Sequence, residues 1–138
     1  MLLLKSLIAW LLILCFAVAN GALREAVLIP SLGKSSGLIL SGLLLSVLVV
    51  LVAYAFVRLS QSITVSQGLF VGFLWLCLTL AFEFSLGRYV QHKSWSELLD
   101  AYTFKDGNLW PVVILVTLVA PCLAVLAHSK SRHAKSGA

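Results

Sequence analysis

The sequence predicts an all-α integral membrane protein: a four-helix bundle with a short amphipathic interfacial helix between spans 3 and 4. Three observations carry this reading. The 138 residues are 61% hydrophobic and 11% charged, with a mean hydropathy of +1.05, too apolar for a soluble domain of this length. Four apolar runs, at about 6–23, 37–57, 68–86 and 110–127, are separated by short polar stretches. Between the third and fourth, Ser94-Trp-Ser-Glu97 has the form of a capping box, in which serine and glutamate each satisfy a free N–H at a helix start. Residues 1–138 form a single transmembrane domain, with no spare length for a second.

Span 1 follows a short positive start, Met1 to Lys5. The same run also fits a cleavable signal peptide with small residues at Ala17-Val-Ala19 or Ala19-Asn-Gly-Ala22. Trp10 and the charged Arg24-Glu25 corner favour a retained helix. Residues 24–36 are the first connection, punctuated by Pro30, Gly33 and Gly37. Span 2 is long enough to cross about 30 Å of hydrocarbon at ~1.5 Å per residue. Gly37 with Ser41, and Gly42 with Ser46, are small residues four apart that permit close helix approach. Residues 58–67 make a tight polar loop.

Span 3 carries a stripe of Gly68, Gly72, Leu76, Thr79 and Glu83, beginning in G-x-x-x-G and ending in a carboxylate. That face packs against other helices rather than lipid. The interfacial helix, about 95–102, places Trp95, Leu98, Leu99 and Tyr102 at i, i+3, i+4 and i+7. Lys105-Asp-Gly107-Asn then turns the chain. Span 4 opens at Trp110-Pro111, and Pro121 inside it is expected to kink the helix or leave a local water site. Residues 128–138 are a basic tail, expected to be mobile on anionic headgroups.

Lys5, Arg58, Lys130, Arg132 and Lys135 fall on one side, and Arg24, Lys34, Arg88, Lys93 and Lys105 on the other. Drawing Arg24 and Arg88 into the bundle breaks the tie, which puts both termini in the cytoplasm. Counted from the inner ends, Asn20 and Glu83 then lie roughly 20 Å deep, with Arg24 and Arg88 about 6–8 Å further out. We therefore expect an inter-helix polar cluster, with Glu83 paired to Arg24 or Arg88, Asn20 bridging, and Glu25 nearer the surface. Such a cluster either fixes helix order as a buried ion pair or serves as a site for a proton, an ion or an anionic headgroup.

Other chemistries find little footing. The formal charge of +5 comes from ten Lys and Arg residues scattered between apolar runs, which excludes a nucleic-acid surface and fits membrane flanks. Cys15, Cys77 and Cys122 sit in separate apolar runs, far from any metal-ligand spacing. Gly33-Lys34-Ser35 imitates a P-loop, but the required earlier glycine is Leu28. His92 and the pair His128 and His133 fall at opposite ends, so no haem or metal site forms within one chain. No cofactor is expected. Ser85 near Glu83, with His92 beyond, is the nearest approach to a catalytic set.

Asn20-Gly-Ala-Leu-Arg24-Glu25, Pro30-x-Leu-Gly33, Glu83-Phe-Ser-Leu-Gly-Arg88, Ser94-Trp-Ser-Glu-Leu-Leu99, Tyr102 and Leu109-Trp-Pro111 together resemble a group of small four-span bacterial inner-membrane proteins. The resemblance implies that membrane and a four-helix architecture, and it carries no activity or ligand. The expected function is a non-enzymatic membrane protein whose small-residue faces support self-association or docking into a larger membrane complex. The alternative is a small transporter or channel using Asn20, Arg24, Glu83 and Arg88. A lipid-modifying enzyme is a third reading.

Overall fold

The computed structural model describes residues 2–60, 63–100, 103 and 109–137. These form helices and turns, with no strand among the described residues. Three long helices come first, α1 (Leu2–Leu32), α2 (Lys34–Leu59) and α3 (Val65–Val90). A short helix α4 (Trp95–Asp100) precedes α5 (Trp110–Ser136). The four long helices are long and apolar enough to cross a membrane.

The expected first connection collapses to one residue. Helix α1 runs on through Arg24 by a single π-helical turn, Arg24–Leu28, and closes with an α-turn, Ile29–Leu32. The amide of Ile29 bonds to the Arg24 carbonyl, five residues back. Pro30 follows at once and has no N–H for the ordinary ladder, so the helix passes the proline by changing register rather than by ending. Gly33 alone then reverses the chain, at φ +92°, a conformation that L side chains rarely adopt. Gly37 completes the corner, because a Cβ there would lie 2.9 Å from the Ile29 backbone nitrogen.

Three further boundaries move. Thr64 and Gln67 form a complete capping box at the start of α3, a T-x-x-Q signature lying in the segment read as loop. Helix α3 outruns the predicted span by a second π-turn, Leu86–Val90. The basic tail is helical to Ser136, since no glycine or proline interrupts it before Gly137, and His128 packs edge-on to Tyr54 at 6.4 Å. Pro121 is buried inside α5 without ending it. At α4 only half of the predicted capping box forms, the Glu97 amide bonding the Ser94 hydroxyl at 3.2 Å. Tyr102 and the Lys105-to-Asn108 turn lie outside the described residues.

Helices α1 and α3 run one way, α2 and α5 the other. Around the bundle α1 packs on α2, α2 on α5 and α5 on α3, while the α1–α3 contact is the thinnest. One core links all four, with Ile13, Val49, Ala53, Val71, Trp75, Val113 and Ala120 at its centre. Gly68 and Gly72 press directly on the α5 backbone, as the G-x-x-x-G spacing predicts. The proximal half of the α1–α3 seam is tied by two indoles: Trp10 Nε1 donates to Thr79 Oγ1 at 3.1 Å, and Trp75 Nε1 to the Ser6 carbonyl at 2.9 Å. Large apolar side chains such as Ile8, Leu51, Phe73 and Leu115 point outward around the whole bundle. We call the end bearing both chain termini proximal and the end bearing Gly33 and α4 distal.

Candidate functional site

Four of the five residues expected in the polar cluster meet, though not in the pairing expected. Asn20, Arg24, Glu25 and Glu83 all line one distal cavity of about 920 Å³, bounded by the four long helices and covered on one side by α4 through Glu97 and Leu98. Leu98 holds this cover down: its side chain occupies the space that a Cβ at Gly87 would take. Lys34 and Lys93 also reach the cavity, residues that the sequence does not place in the cluster.

Arg88 is outside the cavity. Its Nη1 donates to the Lys93 carbonyl at 3.3 Å, and its guanidinium stands 5.7 Å from the Trp95 ring centroid. Arg88 sits within the second π-turn, Leu86–Val90, which leaves it off the cavity that Glu83 lines. Arg88 instead ties α3 to the exposed aromatic of α4. Of the interfacial helix, Trp95 and Leu99 are exposed and Leu98 is half-buried.

Arg24 pairs with its own neighbour, Nε to Glu25 Oε1 at 3.3 Å. It is half-buried, and its Nη2 lies only 3.8 Å from the position a Cβ would take on Gly21, so the guanidinium folds back over the helix toward the cavity. Asn20 does not bridge anything to Glu83. Its Nδ2 donates to the Ser41 carbonyl at 3.1 Å, and its Oδ1 accepts from the Ser41 hydroxyl. Both ends of the amide are thus committed to α2, and the buried Ser41 that looked like a packing residue is its partner. A double-mutant cycle on Asn20→Ala and Ser41→Ala is expected to give a coupling of about 0.6–1.7 kcal/mol, the range for hydrogen bonds between membrane helices. Additive unfolding energies would mean that the pair contributes nothing to α1–α2 packing.

Glu83 also lies deeper than the sequence count placed it. Trp10 with Thr79 and Ser6 with Trp75 share one offset between α1 and α3, which sets Glu83 opposite Leu14. That is about six residues, or ~9 Å, closer to the proximal end than Asn20. Counting from assumed inner ends could not see this, because the register is set by indole bonds whose partners lie 69 residues apart. The Glu83 carboxyl is half-buried and open to the cavity, and among the described residues no cation lies within 4 Å of it. The charges of Arg24 and Lys93 act on it through space. Beneath it the interior closes to a pocket of about 20 Å³, then to Val49, Val71 and Trp75, all essentially inaccessible.

The site is therefore a one-ended vestibule with charges of both signs near its mouth, a lone carboxyl near its floor and apolar walls that include Phe82, Phe84 and Trp110. Among the described residues no group of three His, Cys, Asp or Glu side chains could hold a metal ion. No protein-family model, curated protein or solved structure matches this chain.

Proposed function

We propose that this chain is a multi-pass protein of the bacterial inner membrane, of the small four-span kind it resembles, with both termini cytoplasmic and the vestibule facing outward. In this reading it works by binding a ligand in the vestibule, without catalysis. Four helices of membrane-crossing length and an outward-facing apolar surface support the membrane assignment.

One observation carries the binding reading. A carboxyl within a membrane helix is costly unless it is paired or faces an aqueous cavity, and Glu83 has no ion-pair partner among the described residues and opens into a cavity of about 920 Å³. A buried ion pair that merely fixes helix order needs a Glu83–arginine contact, and neither Arg24 nor Arg88 lies within 4 Å of Glu83. The closed floor argues for holding a ligand over conducting one. Protein purified from native membranes in mild detergent should carry a small molecule or lipid detectable by mass spectrometry, and Glu83→Gln should lose most of it. Identical bound species in both proteins would sink this reading.

A second reading, docking into a larger membrane assembly or with another copy, has its own support. Tyr89, Val90, Trp95 and Leu99 are large apolar or aromatic side chains exposed at the distal end. The small-residue faces no longer argue for it. Gly68 and Gly72 are spent on α5, Gly37 on the α1–α2 corner and Gly42 on Leu109. A protein partner released by Trp95→Ala with Leu99→Ala would favour this second reading.

A further inference from the structure

We propose that the vestibule binds a zwitterionic amphiphile, with an ammonium group seated at Glu83 and a phosphate seated at Arg24, entering from the bilayer between α1 and α3. The proposal rests on the binding function above and names its ligand.

The charge arrangement selects a zwitterion. Glu83 and Arg24 face the same cavity with opposite charge and do not meet, and Arg24 pairs with Glu25 through Nε. Its two terminal nitrogens remain for the forked contact that a phosphate accepts. Lys93 stands on the same side and adds a second positive charge near the mouth. A simple anion would satisfy these cations and leave Glu83 facing like charge. A simple cation would pass them to reach Glu83. A molecule carrying both charges satisfies both ends, and the ring of Phe82, which lines both the cavity and the pocket beneath it, offers an ammonium further favourable surface.

The access route selects an amphiphile. The two indole bonds close the α1–α3 seam only in its proximal half. Distal to them the cavity wall is made of small or apolar residues on both helices, Ala17, Val18, Gly21 and Ala22 on α1 and Phe82 and Leu86 on α3. This is the thinnest contact between neighbouring long helices, and it would let acyl chains remain in the lipid while the headgroup turns inward. An ethanolamine phosphate group, with donor N–H on its ammonium, matches a carboxyl that lacks a donor.

The test uses the full chain in mild detergent, titrated by native mass spectrometry with phosphatidylethanolamine, phosphatidylcholine, phosphatidylglycerol and soluble glycerophosphoethanolamine. Phosphatidylethanolamine should bind roughly tenfold or more tighter than phosphatidylglycerol, and Glu83→Gln should erase that preference. Arg88→Gln, outside the cavity, should leave it intact. Should Glu83→Gln fold poorly, phosphatidylcholine serves in its place, because its ammonium has no N–H and should bind more weakly to the unaltered protein. Glycerophosphoethanolamine binding as tightly as the lipid would support the headgroup chemistry and assign the ligand to a soluble source, overturning the lateral route. A Glu83-dependent preference for phosphatidylglycerol would overturn the zwitterion while leaving a binding function. No binding of any probe, with no copurifying species, would overturn both.

Discussion

Gly72→Leu is expected to prevent this chain from reaching a stable fold. A Cβ at Gly72 would stand 1.9 Å from the Leu118 carbonyl oxygen of α5, closer than non-bonded atoms can approach. The obstacle is helix backbone, so no rotamer change relieves it, and α3 and α5 must separate along a seam where Gly68 also packs closely, a Cβ there standing 3.2 Å from the Pro121–Cys122 backbone. Overpacking of a core usually costs about 1–3 kcal/mol, and a backbone clash belongs at or above the top of that range. In a bundle surrounded by lipid, helix association depends on close packing more than on removing apolar surface from water, so losing this approach removes much of what holds α3 in place. Gly72→Ala should already destabilise measurably. Gly87→Ala should not, since the space there is filled by the movable end of Leu98, and Gly21→Ala meets only the Arg24 guanidinium at ordinary contact distance. Thermal unfolding in detergent, followed by circular dichroism, should rank the variants in that order. A Gly72→Leu protein that melts with the wild type would refute the α3–α5 contact.

The features legible in the sequence were those with a short repeat. Four apolar runs, the G-x-x-x-G approach of α3 and the amphipathic start of α4 all follow from spacing within one element. Helix ends were harder to read, because each depends on which ladder the backbone can maintain. Arg24 looked like the edge of a span because charge and Pro30 stand together there, whereas a π-turn carries the helix past both. Pairing across the bundle was least visible. That Asn20, Arg24, Glu25 and Glu83 share a space follows from the topology alone. That Asn20 bonds Ser41, that Arg24 takes its own neighbour and that Arg88 turns to α4 depends on helix rotation, which hydropathy does not encode.

These misreadings change what Glu83 means. Paired with an arginine it would be a strut, and its depth would matter only for helix order. Facing a cavity, with no partner within 4 Å among the described residues, it is in the proposed function the group that a bound ligand would complete. Both π-turns lie at the same end as this cavity. Arg24 opens the first and lines the cavity wall, and Leu86 and Gly87 of the second do the same. Single π-turns within α-helices recur at functional sites because they re-aim side chains at the expense of a regular ladder.

Trp75→Ala is the second substitution expected to act strongly, on both stability and permeability. The indole is fully buried, its ring lies 5.7 Å from that of Phe56, and its Nε1 reaches the Ser6 carbonyl across the thinnest contact between neighbouring long helices. Removing a buried tryptophan from a water-soluble core costs about 3–5 kcal/mol. In the membrane setting proposed above the transfer component shrinks while the lost contacts and the cavity remain, which places the cost near ~3 kcal/mol. Trp75→Phe keeps one aromatic ring while losing the rest of the indole and its hydrogen bond, and it should cost about 2 kcal/mol, less than the alanine variant. The alanine variant has a further consequence, because Trp75, with Val49 and Val71, closes the interior beneath the vestibule. Reconstituted in liposomes, the unaltered protein should hold a proton gradient, whereas Trp75→Ala should dissipate it and Trp75→Phe should not. Equal leakage through all three would show that the packed floor is not the barrier, and the transporter reading of the Glu83 site would then regain its place over simple binding.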